Sequence, residues 1–113
     1  MPVDDDLFEK LRVELRRGSL VLAVLGALRE ERYGYTLRTS LEDAGLPIEE
    51  GALYPLLRRL EAQGLLTSEW REEAKRNKRF YRLTADGAAT LAPLLAEWNA
   101  ISDSILRLTE GGK

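Results

Sequence analysis

The chain has no cysteine and no histidine. Without thiols there is no disulfide staple, and without imidazole the Ser–His–Asp and Cys–His nucleophilic arrangements are excluded. Most zinc, haem and iron–sulfur ligation goes with them. The remaining Ser, Lys and carboxylate side chains fall into no catalytic motif, so neither an enzyme nor a bound metal or cofactor is expected. Long hydrophobic runs are missing too. The longest, Leu20 to Leu28, contains Gly26 and is far short of the roughly 20 residues a membrane span needs. The start, Met1-Pro2-Val3-Asp4-Asp5-Asp6, is acidic, the wrong sign for a signal peptide. A cytoplasmic protein with no membrane partner is the expectation. Nor is there an excess of one charge: 17 Lys+Arg stand against 19 Asp+Glu, a net charge of −2. What is there is 113 residues, 44% hydrophobic and 32% charged, which suits one globular domain.

Hydrophobic spacing predicts a mostly helical chain. A first helix over about Asp5 to Arg17 carries Leu7, Phe8, Leu11 and Leu15 on one stripe and stops at Gly18. A second, from Ser19 to Glu31, is apolar nearly all round and therefore central. Tyr33-Gly34-Tyr35 reads as a turn. A third helix, Thr36 to Ala44, points Leu37, Leu41 and Ala44 inward and ends at Gly45-Leu46-Pro47. A fourth, Glu49 to Gln63, buries Leu53, Leu56, Leu57 and Leu60 and stops at Gly64. The opposite face of that helix holds Gly51, Tyr54, Pro55, Arg58 and Ala62.

The period then changes from 3.6 to 2. Leu66 to Arg71 and Arg79 to Leu83 read as two strands of a hairpin, joined by a polar turn over Glu72 to Lys78. Thr84 caps a long last helix that ends near Thr109 and leaves Gly111-Gly112-Lys113 as a frayed tail. Along it Leu91, Leu94, Trp98, Ile101, Ile105 and Leu108 are spaced 3, 4, 3, 4, 3, the seam of helix-on-helix packing. Pro93 is expected to kink this helix or split off its first turns. The fold class is mostly α with a small β-hairpin. Three compact helices before the hairpin make a winged helix-turn-helix, flanked by an N-terminal helix and a long C-terminal dimerisation helix. The chain divides into a DNA-binding region, 1–83, and the dimerisation helix, 84–113.

Charge becomes informative once it is read by position. Lys75, Arg76, Lys78, Arg79 and Arg82 are five cations between Ala74 and Leu83 with no anion among them. Subtracting them from −2 leaves −7 elsewhere. A basic wing on an acidic body can track a phosphate backbone, although charge runs are commonly solvated faces. On the fourth helix, Gly51 and Ala52 permit close approach, Tyr54 suits a phosphate or sugar, and Arg58 and Arg59 reach phosphate or a guanine edge. Glu49 and Glu50 oppose tight docking, though acids also suit a helix N-terminus. With the general acidity, they motivate an alternative: a winged-helix protein-interaction module that never binds DNA. The last helix offers more apolar surface than one subunit covers, and a second copy is its natural cover. Two Trp98 rings would then face each other, either filling the interface or leaving a slot where a flat aromatic ligand stacks.

Four stretches resemble the PadR family of transcriptional regulators. Glu50-Gly51-Ala52-Leu53-Tyr54-Pro55-Leu56-Leu57-Arg58-Arg59-Leu60-Glu61 looks like that family's recognition helix. Gly64-Leu65-Leu66-Thr67-Ser68-Glu69-Trp70 looks like its following strand. Arg79-Phe80-Tyr81-Arg82-Leu83-Thr84-Ala85-Asp86-Gly87 looks like its wing-to-helix junction, and Tyr33-Gly34-Tyr35 like the turn before its second motif helix. The likeness spans Arg17 to Leu108. It implies a homodimer on a palindromic double-stranded DNA operator, repressing promoters, often its own, until a small effector releases it. The single C-terminal helix resembles the family's short subgroup. There a Trp at the place of Trp98, 11 residues after Gly87, lines a dimer pocket for planar aromatic compounds. Candidate DNA contacts are thus Tyr35, Gly51, Ala52, Tyr54, Arg58, Arg59, Lys75, Arg76, Lys78, Arg79 and Arg82. The sequence departs from the family pattern where Arg76-Asn77 replaces a wing glycine, with Asn77 the expected left-handed residue. It departs again at Ala52, where a Thr is common, and at Pro93.

Overall fold

A computed structural model describes residues 4–110; the expected tail at Gly111-Gly112-Lys113 lies outside them. Four helices and a three-stranded sheet occur in the order α1 (Asp5–Ala27), β1 (Arg32–Tyr33), α2 (Gly34–Asp43), α3 (Glu50–Ala62), β2 (Leu66–Glu73), β3 (Arg76–Leu83) and α4 (Ala85–Thr109). This is the expected winged helix-turn-helix, mostly helical with a small antiparallel sheet.

The first two expected helices are one. Asp4 caps α1, its side chain accepting from the Asp6 amide at 3.1 Å, and the helix runs through Gly18 without a break. A mid-helix glycine costs only about 1 kcal/mol relative to Ala. Ser19 does not start a new helix; its hydroxyl donates back to the Arg16 carbonyl at 2.7 Å. The C-terminal part of α1 is central, with Val24 and Leu25 fully buried. Its N-terminal stripe is not: Leu7, Phe8, Leu11, Val13 and Leu15 are exposed.

The expected turn at Tyr33-Gly34-Tyr35 is instead a strand end and a helix start. Arg32 and Tyr33 pair with Tyr81 and Phe80 as the short β1, and Gly34 and Tyr35 open α2. The Tyr33 amide donates to the Thr36 hydroxyl at 3.1 Å, which satisfies one donor at the helix entrance. Leu37 and Leu41 are buried as expected. Ala44 is exposed, because α2 ends one residue before it.

Two helix stops obey the glycine rule. Gly45 and Gly64 have φ of +90° and +81°. After α2, the Gly45 and Leu46 amides donate to Glu42 and Leu41 carbonyls at 2.9 and 2.8 Å. After α3, Gly64 and Leu65 donate to Glu61 and Leu60, both at 3.0 Å. Both are Schellman caps, which use a left-handed residue to satisfy the last carbonyls. The core lies between them: Leu25, Leu28, Leu37, Leu53, Leu57 and Leu60 are at most 1% exposed.

The sheet order is β1–β3–β2. The hairpin strands extend further than expected, pairing from Leu66↔Leu83 out to Glu73↔Arg76. The turn shrinks to Ala74 and Lys75, with φ of +53° and +65°. Asn77, expected to take the left-handed conformation, is a β3 residue opposite Glu72. Thr84 then caps α4, accepting from the Gly87 amide at 3.0 Å and donating to the Gly64 carbonyl at 2.6 Å. The helix carries Pro93 without splitting; that residue is exposed, where the backbone can open toward water. Among the expected seam residues, Leu91 and Leu94 pack against the chain's own core. Trp98, Ile101, Ile105 and Leu108 do not pack there and stay 39–82% exposed.

Candidate nucleic-acid interface

The wing and α3 bracket one cleft. Apolar residues at 53, 56, 57 and 60 anchor α3 in the core, so its other side must face out. On that side Tyr54 and Arg58 face a wall made by Trp70, Asn77, Lys78, Arg79 and Tyr81, with Tyr33, Gly34 and Tyr35 closing one end. The cleft measures about 410 Å³. All four tyrosines line it, beside three cations. Gly34 makes this possible: a Cβ there would lie 2.1 Å from the Tyr54 hydroxyl.

Side-chain alternation sorts the wing residues. Ser68, Trp70, Arg79 and Tyr81 share one face, since Ser68 is opposite Tyr81 and Trp70 opposite Arg79. Arg76, Lys78, Phe80 and Arg82 alternate with them. Alternation alone does not decide which of them reach the cleft: Lys78 lines it, whereas Arg82 stands exposed at the wing root, outside it. Lys75 and Arg76 sit at the exposed tip.

The wing cations are not equivalent. Lys78 Nζ lies 3.1 Å from Glu73 Oε1 and 4.3 Å from the centre of the Tyr33 ring. The Glu73 hydrogen bond holds its pKa above the ordinary lysine value. Arg79 binds Glu61 at 3.2 Å and Ser68 at 2.9 Å. Lys75, Arg76, Arg82, Arg58 and Arg59 form no ion pair among the described residues. Tyr81, buried at the cleft floor, has its phenol pKa raised, chiefly by burial.

The expected α3 residues do not all face the same way. Tyr54 and Arg58 belong to the wing-side cleft. Ala52 and Arg59 turn toward α1, into a groove with Val13, Arg17, Leu20, Ile48, Pro55 and Leu56. Gly51 is exposed in the first turn. Glu50, expected to oppose an anionic partner, pairs with Arg38 at 3.6 Å.

A family model, the transcriptional regulator PadR-like family, matches residues 21–93. The chain belongs to the PadR-like family of transcriptional regulators. Among solved structures, a PadR family transcriptional regulator from Eggerthella lenta DSM 2243 is 46% identical, with a TM-score of 0.89 and 96% of each chain covered. The transcriptional regulator Rv3488 of Mycobacterium tuberculosis is 42% identical over 79 residues, 69% of this chain and 74% of that protein. A structure of Bacillus subtilis PadR in complex with operator DNA matches with a TM-score of 0.62 and 28% identity, over 68% of this chain and 46% of that one.

Sequence reasoning missed three features of this PadR-like regulator. Arg71 stacks its guanidinium 3.8 Å over the Phe80 ring and pairs with Glu31, which raises its pKa. It stood outside the basic run, and the pairing crosses about 40 residues of sequence, so only the tertiary fold shows it. Arg38 likewise owes its role to a helix later in the chain. The exposed α1 stripe was legible as a stripe, but its spacing did not say whether its partner is this chain or another. Among the described residues no helix is long and apolar enough to cross a membrane.

Proposed function

We propose that this regulator binds double-stranded DNA as a homodimer and represses transcription from a pseudo-palindromic operator, acting in the cytoplasm and without catalysis. The observation that carries this reading is the cleft between α3 and the wing, with Arg58, Lys78 and Arg79 in its walls and the cations of the wing tip beyond it. A PadR protein of the same fold is solved on operator DNA. Residues 1–83 form the DNA-binding region, and the helix from 84 onward joins the subunits. Recognition helices then enter successive major grooves about 34 Å apart. Tyr35, Gly51, Tyr54 and Arg58 lie toward the groove, Lys75, Arg76 and Lys78 toward flanking backbone, and Ala52, Arg59 and Arg82 at the margins.

The test is binding to the DNA upstream of its own gene, measured across salt concentrations. Two copies each of Lys75, Arg76, Lys78 and Arg58 give a slope of log K against log salt of about −7, and ten wing cations bound it at about −9. A salt-insensitive complex, or no complex beside a stable protein partner, would favour a protein-interaction module instead.

The exposed α4 stripe also supports an effector site. In the homodimer two Trp98 rings approach, and a planar aromatic compound stacks between them, loosening the grip on DNA. Such compounds are expected to quench tryptophan fluorescence in the Trp70→Ala variant and not in Trp98→Ala. Trp70 lies in the wing cleft, so the two variants separate the two sites. Equal quenching in Trp98→Ala ends the effector reading.

A further inference from the structure

One acidic side chain, Glu61, is joined to the cationic cleft through Arg79 of its wall, and both of its carboxylate oxygens are bonded. Ser68 donates to Glu61 Oε2 at 2.8 Å. Arg79 reaches Glu61 Oε1 through its terminal nitrogen at 3.2 Å and Ser68 Oγ through Nε at 2.9 Å. Each side chain thus touches both of the others in a closed ring. Glu61 lies in the last turn of α3, Ser68 on β2 and Arg79 on β3, so the ring ties the helix to both strands of the wing. The Arg79 guanidinium also lies 5.6 Å from the Tyr81 ring centre and 5.7 Å from that of Trp70. One edge of its planar fork, Nε and one terminal nitrogen, is thus turned to protein acceptors.

We propose that Glu61, Ser68 and Arg79 form a positioning brace that sets the angle between the recognition helix and the wing, and that Arg79 is not a phosphate contact. The brace governs how well a DNA site is discriminated, and it rests on the DNA-binding reading above. Helix and wing each engage the duplex at fixed offsets, so a change of their angle misplaces one when the other docks. The ring preorganises both before DNA arrives, which lowers the cost of binding. The consequence runs against simple electrostatics. Removing the Glu61 charge makes this face more positive, which would tighten binding to any polyanion. If the brace is the dominant effect, the same change weakens binding to the preferred site.

The probe is a duplex enriched from a random-sequence pool by the wild-type chain, with a scrambled duplex as control. Glu61→Gln is expected to weaken the enriched duplex about tenfold while the scrambled one is unchanged or tighter. Arg79→Lys keeps the charge and loses the fork; it is expected to lose as much, with the salt slope unaltered. Glu61→Gln combined with Arg79→Lys is expected to be no worse than either alone, because one ring is broken in all three. The ring is partly exposed, with Arg79 and Glu61 side chains 37% and 29% accessible, so melting temperatures should barely change and misfolding is separately visible.

If Glu61→Gln binds the enriched duplex as well as or better than wild type, the brace is wrong. An Arg79→Gln variant that flattens the salt slope by about 2 for the dimer, with Arg79→Lys restoring it, makes Arg79 a phosphate contact and also overturns the inference. A wild-type chain that enriches no duplex overturns the DNA-binding reading and the brace with it.

Discussion

Two glycines decide how closely neighbouring elements approach, and they do so against different obstacles. At Gly87 a Cβ would lie 2.1 Å from the Leu65 carbonyl oxygen. That oxygen already accepts the Thr84 amide at 3.1 Å, so it cannot retreat without loosening the entrance to α4. At Gly34 the obstacle, also at 2.1 Å, is the tip of the Tyr54 side chain, which can rotate away. Gly87→Ala is therefore expected to destabilise by about 3 kcal/mol and Gly34→Ala by about 1 kcal/mol, at the two ends of the overpacking range. Urea unfolding measures both. In a Tyr54→Ala background the cost of Gly34→Ala should vanish, whereas that of Gly87→Ala should not. A Gly34 penalty that survives removal of Tyr54 would place the strain elsewhere. Neither role is legible in the sequence. Gly34 reads as a turn residue and Gly87 as part of a junction motif, because the atoms each must avoid lie 20 or more positions away.

At the scale of elements, the wing turn is where local preference and observed structure disagree most. Ala74 and Lys75 both have positive φ, the backbone a two-residue hairpin turn needs and the one that Asn-Gly or Gly-Gly normally supplies. A Cβ in this region costs roughly 1–2 kcal/mol per residue. That is why spacing alone placed a longer loop here: no turn residue marked the two central positions. The ladder from Leu66↔Leu83 to Glu73↔Arg76 and the pairing of Lys78 with Glu73 hold the strained turn closed. Ala74→Gly removes one Cβ from the strained position without touching a wing cation. It is expected to raise stability by about 1 kcal/mol in chemical unfolding and to leave DNA binding unchanged. A lower stability would mean that the turn is not strained at Ala74. The helices show the reverse relation. Gly45 and Gly64 end α2 and α3 as their position after an apolar period predicts. Gly18, by the same rule, ends nothing. The difference lies in the next residue. The Leu46 and Leu65 amides donate back to close each cap, whereas the Ser19 hydroxyl bonds backward within one continuing helix. A glycine stop is thus recognised by its successor's bond, which a single sequence does not display.

The whole molecule is too extended for a self-sufficient domain. Its radius of gyration is 16.7 Å and its extents are 58 × 33 × 23 Å, against about 13 Å expected for a compact chain of this length. The excess comes with two apolar arms. The first half of α1 exposes Leu7, Phe8, Leu11, Val13 and Leu15, and α4 from Leu95 onward exposes Leu95, Trp98, Ile101, Ile105, Leu106 and Leu108. Exposed apolar surface on this scale marks an interaction site. A twofold contact that covers both arms would also bring two wings into one assembly. The interface then matters twice, since it hides the apolar stripes and couples two half-site contacts. Coupling of that kind raises affinity by about 10²–10⁴-fold over one unit. Ile105→Asp puts a charge in the α4 stripe far from the buried core. It is expected to turn a dimer into a folded monomer in sedimentation, with an unchanged helical spectrum, and to weaken operator binding by at least about a hundredfold. Leu11→Asp tests the other arm in the same way. A dimer that persists in Ile105→Asp but dissociates in Leu11→Asp would move the interface from α4 to α1. Loss of DNA binding with the dimer intact in both would break the link between assembly and function.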